Sequence, residues 1–499
     1  MAHGSADAPD GLEGEGTCYL ADTVRLQSYT NAERQLSHFQ APVFIHSENP
    51  HERLYAGFLD GTGNDEAKPR FGLETNVARI HDQIKAAHND RIVAGYVPGP
   101  GTQDGWLARI RDGISGNTYD ERLEEAYKQF ISQAWEWKKE DPLAEIRFVG
   151  VGFSRGASEE AGLARLIEER GIQDPSGAHY TRTPDGLVAH VEYSKPPLVA
   201  PGHVVQAQLL FDPVGTGAPE KHDRRPPPSV ISGFQIVAAD EHRNPFKSDR
   251  IIDPGATPDG RFLGVTVAGA HSDIGGSYAR DGLGRRSENL AIDYLNAFSD
   301  TPFLVKQAIP DDPDMSVVHR SDRVFPFNLM GTVERSSAAG VNERLVPQQS
   351  HHAIVDTPAG LMRATVWRER QGVTDAFNAE PVNEALSRAF ERRAVVIGPV
   401  PGELGETVSR SRNERAAPPI QPPSFDGGSQ TGRWIDRLFD AAVNNDRLEM
   451  EAVTRDFRDS AAGQEFQRQV QAWGEALQAQ AAQQAVRQQS VPQGQGFSR

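Results

Sequence analysis

The chain of 499 residues carries a formal charge of −17 and 37% hydrophobic residues. That balance suits a globular protein of one large domain plus additions and excludes general nucleic-acid affinity, which needs a basic face. No apolar run reaches the length of a transmembrane span, and Cys18, the only cysteine, excludes internal disulfides and cysteine-based zinc sites.

Residues 1–50 are polar with little periodicity. From Leu54 to about Phe298, strand-like and helix-like segments alternate. "LYAGFL" (54–59) precedes a helix with Val77, Ile80 and Ile84 on one side, and "IVAGYV" (92–97) precedes one with Leu123, Tyr127, Phe130, Ala134 and Trp137 spaced 4-3-4-3. "IRFVGV" (146–151), a helix to about Arg170, "VVQAQLLF" (204–211), "FLGVTVAG" (262–269) and a helix carrying Leu290, Ala291, Tyr294 and Phe298 complete the series. The alternation predicts an α/β fold, a mostly parallel central sheet with helices on both faces.

Residues 172–203 and 214–260 are rich in Pro, Gly, His and charge and too long for ordinary connections, so lid-like inserts above the strand ends are expected there. The expected plan is a polar segment 1–50, an α/β domain 51–400, a Pro/Gly-rich linker 401–432 and a helical, Gln-rich tail 433–499. In the tail Phe466, Val470, Trp473 and Leu477 make one apolar stripe, expected to bury against the body or a partner.

"FVGVGFSRGAS" (148–158) frames Ser154 with Gly152 and Gly156, directly after a strand and before a helix. A nucleophile elbow needs this pattern, because the serine stands on a strained turn whose neighbours must lack bulk. A structural turn or a phosphate-cradling loop are the bland alternatives. At the helix N-terminus the backbone N–H of Arg155 is the natural donor to a developing oxyanion.

A nucleophilic serine needs a base, and the base needs an orienting acid. Asp212 directly follows "QAQLLF" and His271 directly follows "VTVAGA", each at a strand end and in the chain order Ser, Asp, His. A turn cap and an ordinary strand-end histidine are the alternatives; His319, His351 and His352 are read as of that ordinary kind. Asp240 and Asp273 are supporting residues, Asp240 as a buttress. "FLDGTGND" (58–65) places Asp60 on a Gly-rich turn. A phosphatase reading would need an aspartate at position 58, where Phe58 stands, so Gly61 or Thr62 is expected to complete the oxyanion hole through its backbone N–H. Neither a cofactor nor a metal is called for, since a triad makes its nucleophile by proton transfer; "HSDIGGS" leaves a structural calcium on Asp273 as an option.

Together these stretches resemble the bacterial α/β-hydrolase domain family that includes type VI secretion lipase effectors. The carrying residues are Leu59 to Asn64, Thr75-Asn76-Val77, Pro100-Gly101-Thr102, Gly152 to Ala157, Asp212-Pro213-Val214-Gly215, Asp240-Glu241-His242-Arg243 and His271 to Tyr278, over roughly residues 54–300. Pro213 replaces Thr, His242 replaces Arg and Ser277 replaces Gly of the family pattern. The resemblance implies an α/β-hydrolase fold and serine esterase or phospholipase activity through Ser154, Asp212 and His271. It also implies a phospholipid or other ester substrate, and a secretion-apparatus, adaptor or immunity protein as partner.

The N-terminus lacks the basic and apolar stretches of a Sec leader. Synthesis in the cytoplasm and export by a specialised secretion system, to act at a target-cell membrane, is therefore expected. A soluble small-ester carboxylesterase and a catalytically silent binding module are the competing readings, the second opposed by an intact Ser, Asp and His set.

Overall fold

The computed structural model describes residues 17–401 apart from 63, 65, 67–72, 100–118, 183–187, 216–222, 324–326, 328–330, 343–354 and 357–378, together with Ala452, Arg455, Asp456, Ser460 and Gln464. Cys18–Thr407 forms one compact unit, and Met1–Thr17 with Val408–Arg499 forms another. The tail stripe, the 402–432 stretch, Gly63, Pro100-Gly101-Thr102, His351 and His352 lie outside the described residues.

In the first unit, β1 (Cys18–Leu20), α1 (Thr23–His38) and β2 (Gln40–Pro42) lead into β3 (Glu52–Leu59). There follow α2 (Asn76–Ala87), β4 (Ile92–Val97), α3 (Tyr119–Glu140), β5 (Glu145–Phe153) and α4 (Arg155–Arg170). After β6 (Ala178–Arg182) and β7 (Val188–Tyr193) come β8 (Val205–Phe211), β9 (Val230–Ala238), β10 (Gly255–Ala256) and β11 (Phe262–Val267). The series closes with α5 (His271–Gly275), α6 (Gly282–Asn296), β12 (Val317–His319), β13 (Val355–Asp356), α7 (Glu384–Arg388) and β14 (Arg392–Ala394).

The central sheet has seven strands in the order β10-β11-β9-β8-β5-β3-β4, parallel except for the β10–β11 pair. The inner strands are predominantly apolar because helices cover both faces. Tyr55, Phe130 and Phe148 pack between α3 and the sheet, with ring centroids 5.3 and 5.0 Å apart, and Phe44, Tyr294 and Phe298 belong to the core formed with α1, α2 and α6. The apolar residues picked out on α2 and α3, together with Leu290, Ala291, Tyr294 and Phe298 on and just after α6, are all buried. Parallel strands carry their C-terminal ends to one edge, so Asp60, Ser154, Asp212 and the turn before His271 share that edge, as ligand sites of open parallel sheets do. This is an α/β-hydrolase-like fold.

Two expectations need correction. Residues 214–260 are not wholly an insert, because they contain β9, a fully buried strand between β8 and β11. Its polar residues hid it. Ser232 Oγ lies 2.9 Å from Tyr294 Oη, while Gln235 donates to the Asp249 carbonyl and accepts from the Ile252 N–H. Nor does a separate segment run to residue 50. Tyr29, Ala32 and Leu36 bury one side of α1, and Tyr29 Oη donates to the Ala268 carbonyl at 2.8 Å. Three apolar positions on an otherwise polar helix make a weak periodic signal. The 172–203 stretch does leave the central sheet, forming the β6–β7 hairpin of a small three-stranded sheet.

Candidate active site

Ser154 joins β5 to α4 with φ 59° and ψ −126°, a backbone that non-glycine residues rarely adopt and that marks stored strain. The flanking glycines follow from contact distances. A Cβ on Gly152 would lie 2.5 Å from Ala157 Cα, and one on Gly156 would lie 2.2 Å from the Leu59 carbonyl oxygen, so helix and strand approach too closely for any side chain. Hydrogen bonds pin the turn to the end of β8: the Ser154 N–H donates to the Phe211 carbonyl at 3.0 Å, and the Val214 N–H donates to the Ser154 carbonyl at 3.1 Å.

The structure brings Asp212 and His271 together. The carboxylate Oδ2 lies 2.6 Å from His271 Nδ1, both groups buried, with His271 the first residue of α5. The Ala238 N–H donates to Asp212 Oδ1 at 2.9 Å. Arg335, which no sequence motif indicated, grips the same carboxylate through two N–H donors, at 2.7 Å to Oδ1 and 3.0 Å to Oδ2. Burial would raise the Asp212 pKa, but Arg335 and His271 outweigh it and hold the group at about 2. Burial lowers the pKa of His271 against the opposing pull of Asp212, favouring the neutral imidazole that a base must be. The ring is held by Phe153, centroid distance 4.6 Å, and edge-on by Phe246 at 5.1 Å.

The two other aspartates considered are committed elsewhere. Asp240 accepts from the Gly269 N–H (2.9 Å) and from Tyr19 Oη (3.0 Å), buttressing the turn before His271. Asp273 accepts from the Ala270 N–H at 2.8 Å and the His319 N–H at 3.0 Å, and its Oδ1 lies 2.5 Å from His319 Nδ1. His319, read above as ordinary, thus clamps the short helix carrying His271. Donors on both carboxylate oxygens of Asp273 also argue against its serving a calcium ion. Glu241, the neighbour of the residue singled out in "ADEHR", accepts from the His271 backbone N–H at 3.2 Å and pairs with Arg243, whose guanidinium lies 3.5 Å from the Phe246 ring centroid.

The loop after β3 faces the elbow, since a Cβ on Gly61 would lie 2.9 Å from Ser154 Cβ. Asp60 is buried there and accepts from Thr75 Oγ1, Tyr96 Oη and the Gly61 N–H, each at 2.6 Å. This corrects one expectation. The Gly61 N–H is occupied by Asp60, so within this loop the expected oxyanion donor narrows to Thr62; Arg155 is the first residue of α4. Thr75 also caps α2, and Asn76 donates to the Ile274 and Gly284 carbonyls, tying "TNV" to the His271 segment. Ser277 has φ 83°, a backbone that favours glycine, and His242 Nδ1 lies 3.4 Å from Glu334 Oε1. Among the described residues, Glu66, His81 and Asp82 are the one His/acid group compact enough to hold a metal ion, with Asp82 exposed.

Residues 57–195 match the model of the type VI secretion phospholipase effector Tle1-like catalytic domain. No curated protein matches the chain. Among solved structures, an uncharacterized protein from Pseudomonas aeruginosa is 18% identical, covering 58% of this chain and 50% of its own at a TM-score of 0.31. The Tle1 effector bound to the VgrG spike of the type VI secretion system is 19% identical, covering 47% and 51% at a TM-score of 0.29. A hyperthermophilic esterase from the archaeon Pyrobaculum calidifontis is 12% identical, covering 56% and 94% at a TM-score of 0.25. The chain spans about half the length of the first two solved chains.

Proposed function

We propose that this chain, whose residues 57–195 match the Tle1-like catalytic-domain model, is a serine hydrolase that cleaves carboxylic ester bonds of phospholipids. The observation that carries the reading is the buried 2.6 Å contact between His271 Nδ1 and Asp212 Oδ2, at the same sheet edge as the strained Ser154 turn. Ser154 Oγ attacks the ester carbonyl while His271 Nε2 takes its proton, and Asp212 holds the imidazole in the required tautomer. The N–H groups of Arg155 and Thr62 receive the oxyanion. His271 then passes the proton to the departing alkoxide. A water deprotonated by His271 attacks the acyl-enzyme, and the same proton returns to Ser154 Oγ as the carboxylic acid leaves.

Phospholipid is favoured as substrate by the half-buried rings of Phe246 and Phe327 beside His271 and Arg243, which offer apolar surface to an acyl chain. No helix of the described residues is long and apolar enough to cross a membrane, so access from the bilayer surface is proposed. The Tle1 effector solved with VgrG motivates a similar spike partner here, and with it export by a type VI system as an antibacterial or host-directed effector. The small-ester alternative draws on the charge of −17, which opposes adsorption to anionic bilayers.

The test is fatty-acid release from zwitterionic and anionic phospholipid vesicles, beside hydrolysis of a short-chain nitrophenyl ester, for wild type and Ser154→Ala. Release from vesicles that disappears in Ser154→Ala supports the proposal. Turnover of the soluble ester alone would replace it with the carboxylesterase reading.

A further inference from the structure

Arg335 reaches the Asp212–His271 pair from a segment that the family motifs do not cover. Residues 331–342 run alongside 242–248. The Val333 N–H donates to the His242 carbonyl (2.9 Å) and the Asn244 N–H to the Gly331 carbonyl (3.3 Å); the Ser248 N–H donates to the Gly340 carbonyl (2.8 Å) and the Asn342 N–H to the Ser248 carbonyl (2.9 Å). From this strap the Arg335 side chain, 4% exposed, meets a carboxylate that is 0% exposed. Its Nη2 shares Asp212 Oδ2 with His271 Nδ1. A full positive charge therefore sits against the oxygen that orients the imidazole.

The charged and titratable groups around His271 come from four places. Asp212 lies at the end of β8, and Glu241 and Arg243 follow β9. Arg335 comes from the strap, and on the histidine's own helix Asp273 is turned to His319. Beyond that helix the Tyr278 hydroxyl lies 2.9 Å from Ser321 Oγ. Asp212 and Glu241 favour the imidazolium and Arg243 opposes it, while Arg335 lowers the pKa of Asp212. Arg243 is neutralised by its two-pronged pairing with Glu241. Arg335 is the cation that acts directly on the orienting carboxylate.

We propose that Arg335 is a positioning residue that fixes the Asp212 carboxylate and, by offsetting its charge, sets the proton affinity of His271 and so the lower pH limit of the site. The kinetic part of this inference rests on the serine-hydrolase reading. The proton-affinity part does not, and the two are measured separately.

The experiment follows the downfield imidazole N–H resonance of His271 against pH by NMR, assigned by its loss in His271→Asn, in full-length wild type, Arg335→Gln and Arg335→Lys. The same proteins are assayed for kcat/KM against pH on a soluble ester. Removing a charge at this range moves a neighbouring pKa by about one unit or more. In Arg335→Gln the His271 midpoint should rise by about that much, and the acid limb of kcat/KM should rise with it. Well below the wild-type midpoint this is a loss of about 10-fold, shrinking to nothing at high pH, with KM little changed. Arg335→Lys, which keeps the charge, should restore most of the midpoint.

An unchanged His271 midpoint in Arg335→Gln overturns the proposal, as does the same upward shift in the Gln and Lys variants. If Arg335→Gln does not fold, Arg335→Met takes its place, and failure of both to fold overturns the proposal by making Arg335 a stability residue. A wild-type protein inactive on every ester, yet showing the midpoint shift, would sink the hydrolase reading while supporting the role of Arg335.

Discussion

Asp60 gives the sharpest thermodynamic prediction. Burial drives its pKa from the ordinary 3.8 up to about 6, against hydrogen bonds from Thr75, Tyr96 and Gly61 that lower it. At 1.36 kcal/mol per pH unit, this corresponds to about 3 kcal/mol of preference for the protonated form in the folded chain. Because the folded pKa is the raised one, the stability it brings is full below the unfolded value near 4 and is lost as pH climbs through about 6. Between about pH 4.5 and 8 the loss integrates to about 2 kcal/mol. Asp60→Asn has no proton to lose. Its carbonyl keeps the Gly61 N–H, and its amide meets two hydroxyls, Thr75 Oγ1 and Tyr96 Oη, that can turn to accept. The assay is urea unfolding of both proteins, followed by tryptophan fluorescence, across that pH range. The difference in stability should move by about 2 kcal/mol in favour of the variant from the acid to the alkaline end. A difference that stays constant with pH would mean that Asp60 titrates alike in the folded and unfolded chain, contrary to this prediction.

Two further predictions concern the site. Asp212→Asn should lower kcat by about 10⁴-fold by stabilising the wrong imidazole tautomer, while Asp240→Asn and Asp273→Asn, whose carboxylates hold backbone turns, should act mainly on stability, at about 1–3 kcal/mol each. Steady-state kinetics beside thermal melting separates the two classes, and a larger kcat loss at Asp240 or Asp273 would reassign the orienting acid. Gly61→Ala places a methyl 2.9 Å from Ser154 Cβ and Phe153 Cδ1; an elbow pinned by backbone hydrogen bonds yields only by moving its serine, so turnover should fall by about 100-fold. Wild-type turnover in that variant would show that the Gly61 loop does not face the reacting atoms.

The residues legible in the sequence are those whose role constrains the local backbone. Ser154 needs bare neighbours because strand and helix nearly touch at Gly152 and Gly156, and this leaves a readable Gly-x-Ser-x-Gly. Asp212 and His271 sit at strand ends, where the alternating pattern itself points. Arg335 left no such trace: it acts on Asp212 across 123 positions of chain, from a stretch without periodicity. Glu241 was masked by its neighbour Asp240, since nothing local distinguishes the acid that binds the His271 N–H from the one that binds the Gly269 N–H. His319 looked ordinary for the same reason, its role depending on β12 bringing it to Asp273. β9 escaped because Ser232, Gly233 and Gln235 break its apolar run, their polar atoms being satisfied by long-range partners invisible in sequence.

Whether Ser154 is the nucleophile can be read out by covalent trapping. The full chain is treated with a fluorophosphonate, which phosphonylates a serine activated by a neighbouring base, and the modified position is read by peptide mass spectrometry. One stoichiometric adduct is expected on Ser154, absent in Ser154→Ala and strongly slowed in His271→Asn. Stoichiometric labelling at another residue, or a wild-type protein that hydrolyses ester while Ser154 stays unmodified, would contradict it.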